Sequence, residues 1–147
     1  MIHSFLLRPG AWSAQGRYFD ARYRLQSVRG DLVVRHEPLH WFLQGALELA
    51  ESGKRIDLAC TVAPSKGGAS ATWSCALPGL GELEGSWELA GRRMFSSYRS
   101  RDRVHAGQAT FTRQGEAAYL AEGELRRADI IVYSWALTLR RHTVPVG

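Results

Sequence analysis

Cysteine, lysine and methionine are nearly missing from this chain of 147 residues, which holds two of each. Two cysteines cannot staple a domain of this size, and they need not. A chain of this length hides roughly 70% of its unfolded surface on folding, so neither disulfide nor metal is required for stability. Long hydrophobic runs are missing too. The opening MIHSFLLRPG offers only Phe5 to Leu7, too short for a signal-peptide core, and no stretch approaches the roughly 20 apolar residues of a membrane span. The expectation is a cytoplasmic protein with no membrane span, forming a single domain over residues 1–147 with 1–10 as an N-terminal arm. Among the 15 glycines there is no nucleophile elbow, phosphate-cradling loop or dinucleotide fingerprint. No cofactor is expected.

The formal charge is +5, and 17 of the 19 basic residues are arginine. Guanidinium groups bind oxyanions in bidentate fashion, but a coding bias would give the same skew. The basic residues cluster in GRRMFSSYRSRDR, where Arg92, Arg93, Arg99, Arg101 and Arg103 make the segment 92–103 a candidate surface for an acidic partner. The aromatics form no run like an RNA-binding motif, so nucleic acid is not the expected partner.

What the chain does have, from about Ala11 to Arg141, is period-two alternation broken by Gly, Pro and charged turns. In RIDLACTV, SATWSCAL and ELEGSWEL one face is apolar and the other carries Arg, Asp, Thr, Ser and Glu. LHWFLQGALELA also satisfies helical spacing, but pairing it with RIDLACTV about Ser52-Gly53 sets apolar against apolar, which favours a strand. That register places Leu43 opposite Val62 and Gly45 opposite Cys60. Turns at Gly67-Gly68 and PGLGE then set Cys60 opposite Cys75, Cys75 opposite Gly85, and Trp73 opposite Trp87. The small residues Gly45, Cys60, Cys75 and Gly85 would form a furrow between bulky rows. Further strands are expected at WSAQGRYFD, ARYRLQSV, DLVVRH, MFSSYRS, VHAGQATFT, AAYLAEGEL and IIVYSWALTLRR. The fold class is all-β, and an antiparallel up-and-down barrel of about 8–10 strands is favoured over a sandwich because closure removes exposed edges.

Gly10-Ala11-Trp12 at the first strand, with Arg140 and Arg141 ending the last, resembles the signature of the calycin superfamily, the lipocalins, fatty-acid-binding proteins and their bacterial relatives. The resemblance implies that Gly10, Trp12 and Arg140 are structural. Trp12 would pack at the closed end of the barrel beneath the Arg140 or Arg141 guanidinium.

Catalytic patterns are few. His36-Glu37-Pro38-Leu39-His40 spells the zinc-protease pattern, which requires one helix through both histidines. Pro38 opposes that helix, and in an extended chain the two histidines stand about 13 Å apart. A corner between strands with a surface or rim histidine pair is expected, and no metal site. Cys60 and Cys75 read as small core residues in preference to a disulfide or redox pair. The alternating carboxylates Glu82, Glu84, Glu88, Glu122 and Glu124 read as a solvated face.

The interior carries the functional expectation. Tyr119, Ala121, Gly123 and Leu125, aligned with Thr110, Gln108, Ala106 and Val104, would mix small, apolar and hydrogen-bonding groups. With Trp73, Trp87, Tyr98, Arg99 and Tyr133 they would surround a small hydrophobic or amphipathic ligand. Trp73, Trp87, Tyr98, Arg99, Gln108, Tyr119 and Tyr133 are therefore the candidate ligand-binding residues. The alternatives are an enzyme of isomerase or lyase type using the same cavity, or an interaction module using the basic segment 92–103. Oligomeric state is not legible.

Overall fold

The computed structural model describes residues 3–20, 22 and 24–142. Ten strands follow one another: β1 (Gly10–Phe19), β2 (Leu25–His36), β3 (Trp41–Leu49), β4 (Arg55–Pro64), β5 (Ser70–Leu77), β6 (Gly81–Ala90), β7 (Arg93–Ser100), β8 (His105–Gly115), β9 (Ala118–Arg127) and β10 (Ile130–Arg141). Each pairs antiparallel with its chain neighbours, and β10 returns to β1 over Trp12↔Arg141 to Phe19↔Ser134. The result is a closed, calycin-like up-and-down barrel.

Alternation in the sequence becomes inside and outside in the wall, because successive side chains of a strand point to opposite faces. In β7, Met94, Ser96, Tyr98 and Ser100 are buried while Arg93, Phe95, Ser97 and Arg99 are exposed. ARYRLQSV and DLVVRH, expected as two strands, join across Gly30 into one β2 that begins only at Leu25; residues 21 and 23 of the first lie outside the described residues. Gly30 does not break it, since a Cβ there would strike the Ala46 carbonyl of β3. The glycine permits a close approach.

Two hairpin registers differ from expectation by two residues. Leu43 pairs Cys60 and Gly45 pairs Leu58, while Trp73 pairs Gly85 and Trp87 pairs Ala71. A two-residue slip keeps every side chain on its face, so the hydrophobic pattern does not resolve it. The turns decide. The β3–β4 loop is closed by the Leu49 amide on the Lys54 carbonyl, with Gly53 at φ +70°. The expected furrow is therefore dispersed, with Gly45 facing Leu58 and Gly85 facing Trp73. Cys60↔Cys75 and Val62↔Trp73 pair as expected.

The β8–β9 hairpin differs more deeply. Tyr119 pairs Arg113, Ala121 pairs Phe111, Gly123 pairs Ala109 and Leu125 pairs Gly107, after a register shift between Arg113 and Gly115. One extra residue at a bulge reverses the facing of the whole strand. Gln108, Thr110 and Ala106 thus point outward, and Phe111, Ala109 and Gly107 point inward.

One end of the barrel is sealed by the segment before β1. Phe5 is fully buried, meeting Trp12 edge-on with centroids 5.3 Å apart and Phe111 stacked at 5.4 Å. Trp12, also fully buried, lies edge-on to Tyr119 at 5.8 Å. Polar latches hold the plug. His3 Nε2 donates to the Gly91 carbonyl (2.7 Å), the Tyr119 hydroxyl donates to His3 Nδ1 (2.8 Å) and accepts from the Ser4 amide (3.0 Å), and His36 Nε2 donates to the Leu6 carbonyl (2.7 Å). They also hold Leu6 at φ +67°, a left-handed conformation that costs about 1–3 kcal/mol for such a residue.

The basic residue beside Trp12 is Arg141 rather than Arg140. Arg141 is its register partner, whereas Arg140, one position away, points outward and is exposed. The Arg141 guanidinium lies against Gly10 and donates to the Pro9 carbonyl at 3.2 Å. Among the described residues the guanidinium found over a ring is that of Arg35, above Phe42. The Trp12 indole is covered by Phe5 and Tyr119. Replacing it (Trp12→Ala) removes the centre of this packing and is expected to lower unfolding free energy by about 3–5 kcal/mol. An unchanged denaturation midpoint would contradict that role.

Candidate functional site

Away from the plug, the inner wall divides into two chemically different halves. Over β5 to β10 and β1 runs a chain of aromatic rings: Trp73 to Tyr98 (5.5 Å), Tyr98 to Trp135 (6.5 Å), Trp135 to Tyr133 (5.9 Å) and Tyr133 to Tyr18 (5.4 Å). Such pairs contribute about 0.5–1.5 kcal/mol each beyond the area they bury. Over β3 and β4 the inward residues are aliphatic, namely Leu43, Leu47, Ile56 and Leu58, with Cys60 among them. Trp73, Trp135, Tyr133 and Tyr18 are only partly buried, as are those aliphatic residues.

Three glycines determine how the rings lie. A Cβ at Gly85 would stand 2.6 Å from the Trp73 ring, one at Gly107 would overlap the Tyr98 ring, and one at Gly123 would overlap the Trp135 ring. Each ring lies against the backbone of a neighbouring strand, covering a position that has no side chain. The aromatic surface is thereby pressed to the wall.

Hydrogen bonds fix two of the rings. Trp73 Nε1 donates to Ser96 Oγ at 2.9 Å, and the Tyr98 hydroxyl donates to the Glu124 carbonyl at 2.6 Å. Burial pushes the Tyr98 phenol well above its ordinary range, reinforced by Tyr133 and Glu124. Tyr133 is raised by burial and by Tyr18, and Tyr18 by burial and by Asp20. The three phenols stay neutral at neutral pH. Cys60 and Cys75 are free thiols facing each other across β4 and β5. Cys60 is raised by its hydrogen bond to Cys75 and by burial, while Cys75 is lowered by that same bond. Among the described residues, three buried side-chain atoms have no partner: Trp12 Nε1, Trp87 Nε1 and Gln26 Oε1. Gln26 pairs with Tyr18 and faces inward beside it.

The structure brings Trp73, Tyr98 and Tyr133 of the candidate ligand-binding residues into one surface. Trp87 and Tyr119 face inward but lie in the packed core with the plug, Tyr119 held by His3 and Ser4. Arg99 and Gln108 do not reach the interior. Arg99 is exposed on the outer face of β7, where its neighbours Tyr98 and Ser100 take the inward positions. Gln108 is turned out by the bulge near Arg113 and Gly115. Trp135, Tyr18 and Gly107 are absent from the expected interior residues, whereas Gly85 and Gly123, both expected there, lie beneath rings not expected against them. The signal is a glycine directly opposite a large aromatic, hidden at Trp73↔Gly85 by the two-residue slip and at Tyr98↔Gly107 and Trp135↔Gly123 by strand pairs whose register was not worked out from the sequence.

Other sequence features resolve differently. His36 to His40 form the β2–β3 turn, with the Glu37 amide donating to the His40 carbonyl at 2.9 Å. The His36 ring stacks on Trp41 at 4.3 Å and is committed to Leu6. The arginines of segment 92–103 are divided between opposite ends of β7, about 26 Å apart for eight extended residues, and Arg101 is already bridged to Glu82 and Glu84. They are not one patch. The outer wall carries a groove of about 510 Å³ lined by Arg17, Phe19, Gln108, Thr110, Glu122 and Ser134, and Gly123 and Trp135 border it as well. No helix among the described residues is long and apolar enough to cross a membrane.

One solved structure supports the architecture, and a second, less similar, stands beside it. The S-type phycobiliprotein lyase CPES from Guillardia theta is similar in structure, with a TM-score of 0.65 at 7% identity, covering 92% of this chain and 88% of that one. A redesigned beta barrel, mFAP1, bound to DFHBI, has a TM-score of 0.49 at 12% identity, covering 92% and 95%. No protein-family model and no curated protein matches the sequence.

The raised phenols have a measurable consequence. Their folded-state values lie above the 10 of a free tyrosine, so above about pH 10 the unfolded chain releases protons first and the native state loses stability. Below that value the contribution is fully present. Denaturant titrations between about pH 9 and about pH 11 should show this fall, made shallower by Tyr98→Phe. An equally steep fall in that variant would contradict the burial of Tyr98.

Proposed function

We propose that the barrel binds a small, flat, hydrophobic or amphipathic molecule in its interior, and that the chain belongs among the calycins. The observation that carries the binding reading is the row of rings laid flat on Gly85, Gly107 and Gly123. A wall that only had to be filled would be served by side chains projecting inward, and cores are normally packed that way. Here three positions give up their side chains so that aromatic faces line the wall opposite leucines. A planar apolar molecule matches both surfaces. The neutral phenols favour an uncharged body, and the unpartnered Gln26 Oε1 offers an acceptor to a ligand's donor group, which makes the ligand amphipathic. Ligand sites commonly combine such an apolar lining with a few orienting polar groups. The burial and packing of Trp12 near the start of β1 support the calycin reading.

The phenols lend no support to the isomerase or lyase reading, because a general base works best with an affinity for protons matched to the operating pH and theirs is shifted away from it; the inward group shifted the other way is Cys75, lowered by its bond to Cys60.

Titration with an amphipathic naphthalene dye tests the proposal. Saturable dye emission with quenching of tryptophan fluorescence is expected. Trp73→Leu and Trp135→Leu should each weaken binding by about tenfold through lost stacking and area. Gly123→Ala, which drives the Trp135 ring off the wall, should weaken it while leaving the barrel folded by far-ultraviolet circular dichroism. Undiminished affinity in all three variants would refute an interior site.

A further inference from the structure

Three hairpins at the end opposite the plug carry a surface that an interior site does not explain. The hairpins β1–β2, β9–β10 and β7–β8 follow one another around the mouth, because β2, β1, β10, β9, β8 and β7 are consecutive neighbours in the wall. They expose Phe19 and Leu25, Ile130 and Ile131, and Val104; Ile130 is 69% exposed and Leu25 50%. Of the eight exposed large apolar side chains among the described residues, five are on these hairpins and none is on β3–β4 or β5–β6. The apolar surface occupies half of the mouth. Contiguous exposed apolar surface bordered by charge marks an interaction site.

The charge on these hairpins is predominantly basic. Arg22 and Arg24 lie at the β1–β2 turn, Arg103 at β7–β8 and Arg127 at β9–β10, all exposed. Two of the three aspartates are held by their own hairpins and stay ionised, so those four arginines exceed the three hairpin carboxylates by one. Asp20 Oδ1 accepts the backbone amides of Arg22 and Arg24, and Asp102 Oδ1 accepts from the Ser100 hydroxyl and the Val104 amide. Asp129 is the third. Arg101 and Arg126 also belong to these hairpins but are bridged to glutamates of the wall. Four exposed guanidinium groups thus alternate with apolar tips along one arc.

We propose that this half of the mouth docks on an anionic lipid bilayer. Hairpin tips at one end of a barrel can reach a plane together, unlike residues lining a groove. The isoleucines, Leu25, Phe19 and Val104 would enter the boundary between headgroups and acyl chains while the arginines meet lipid phosphates. The inference does not depend on what the interior holds.

Co-sedimentation of the full chain with vesicles of phosphatidylcholine alone, and of phosphatidylcholine mixed with phosphatidylglycerol, tests it. Partition onto the anionic vesicles is expected, weakening as salt screens the charges. Replacing Arg22, Arg24, Arg103 or Arg127 by Gln should each lower it on the order of fivefold. The double variant Leu25→Asp, Ile130→Asp should abolish it. Leu39→Asp, at a position 79% exposed at the plugged end, should leave it unchanged. All these positions are exposed, and near-ultraviolet circular dichroism verifies the fold. The proposal is overturned if anionic vesicles bind no protein or if the double variant binds as well as the parent. It is also overturned if the chain self-associates in a concentration-dependent way that the same double variant relieves, since the face then belongs to a second copy. Dye titration without vesicles should be unaltered by the double variant, which separates failure here from failure of the interior site.

Discussion

Everything in this molecule depends on closure of the ladder between β1 and β10. A ten-strand meander would otherwise end in two rows of unpaired backbone groups, which invite pairing with other chains. Pairing Trp12 with Arg141 through to Phe19 with Ser134 removes both edges. It also commits the chain to a barrel wider than side chains from eight strands would fill. The chain meets that width in two ways. At one end it inserts Phe5 beneath Trp12 and Tyr119, and elsewhere it lays tryptophan and tyrosine along the wall.

The sequence discloses these features unequally, for physical reasons. Inside and outside were legible in β4 to β6, because a single-residue error would bury charges such as Asp57 or Glu84; in β7 the expectation placed the neighbours Tyr98 and Arg99 both inside, which alternation forbids. The cysteine pair Cys60 and Cys75 was legible because the Gly67-Gly68 turn fixes that hairpin. Two-residue slips were not legible. Moving Leu43 from Val62 to Cys60, or Trp73 from Trp87 to Gly85, keeps the same face buried and exchanges one apolar contact for another. The extra residue between Arg113 and Gly115 was invisible for a different reason: Gln108 and Ala109 are small or neutral enough for either face. That single bulge moved Gln108 out of the candidate site.

The corrected registers sharpen the functional account. A furrow of small residues would have been a groove between ridges, with each glycine leaving space. In the observed arrangement the space at Gly45 is taken by Asp31 and Leu32 of β2 and that at Gly85 by the Trp73 ring; with Gly107 and Gly123, outside the expected furrow, Gly85 helps to make an aromatic surface instead of a gap. Opposite it stand Leu43, Leu47, Ile56 and Leu58. The asymmetry continues outward to the mouth, where the hairpins that join the aromatic strands also carry the exposed isoleucines and arginines. Interior and rim are built from the same half of the barrel. The plugged end is a different environment, with His3 and His36 spent on backbone carbonyls and Tyr119 locked to the segment before β1.

The central claim is that the aromatic inner wall, and not the groove of about 510 Å³ on the outer wall, is where a small molecule binds. Intermolecular nuclear Overhauser effects between an aromatic dye and assigned side-chain protons distinguish the two directly. The account predicts cross-peaks from the dye to the ring of Trp73 and to the methyl groups of Leu43 and Leu58, none of which borders the outer groove. Cross-peaks confined to Gln108, Thr110 and Ser134 would contradict it.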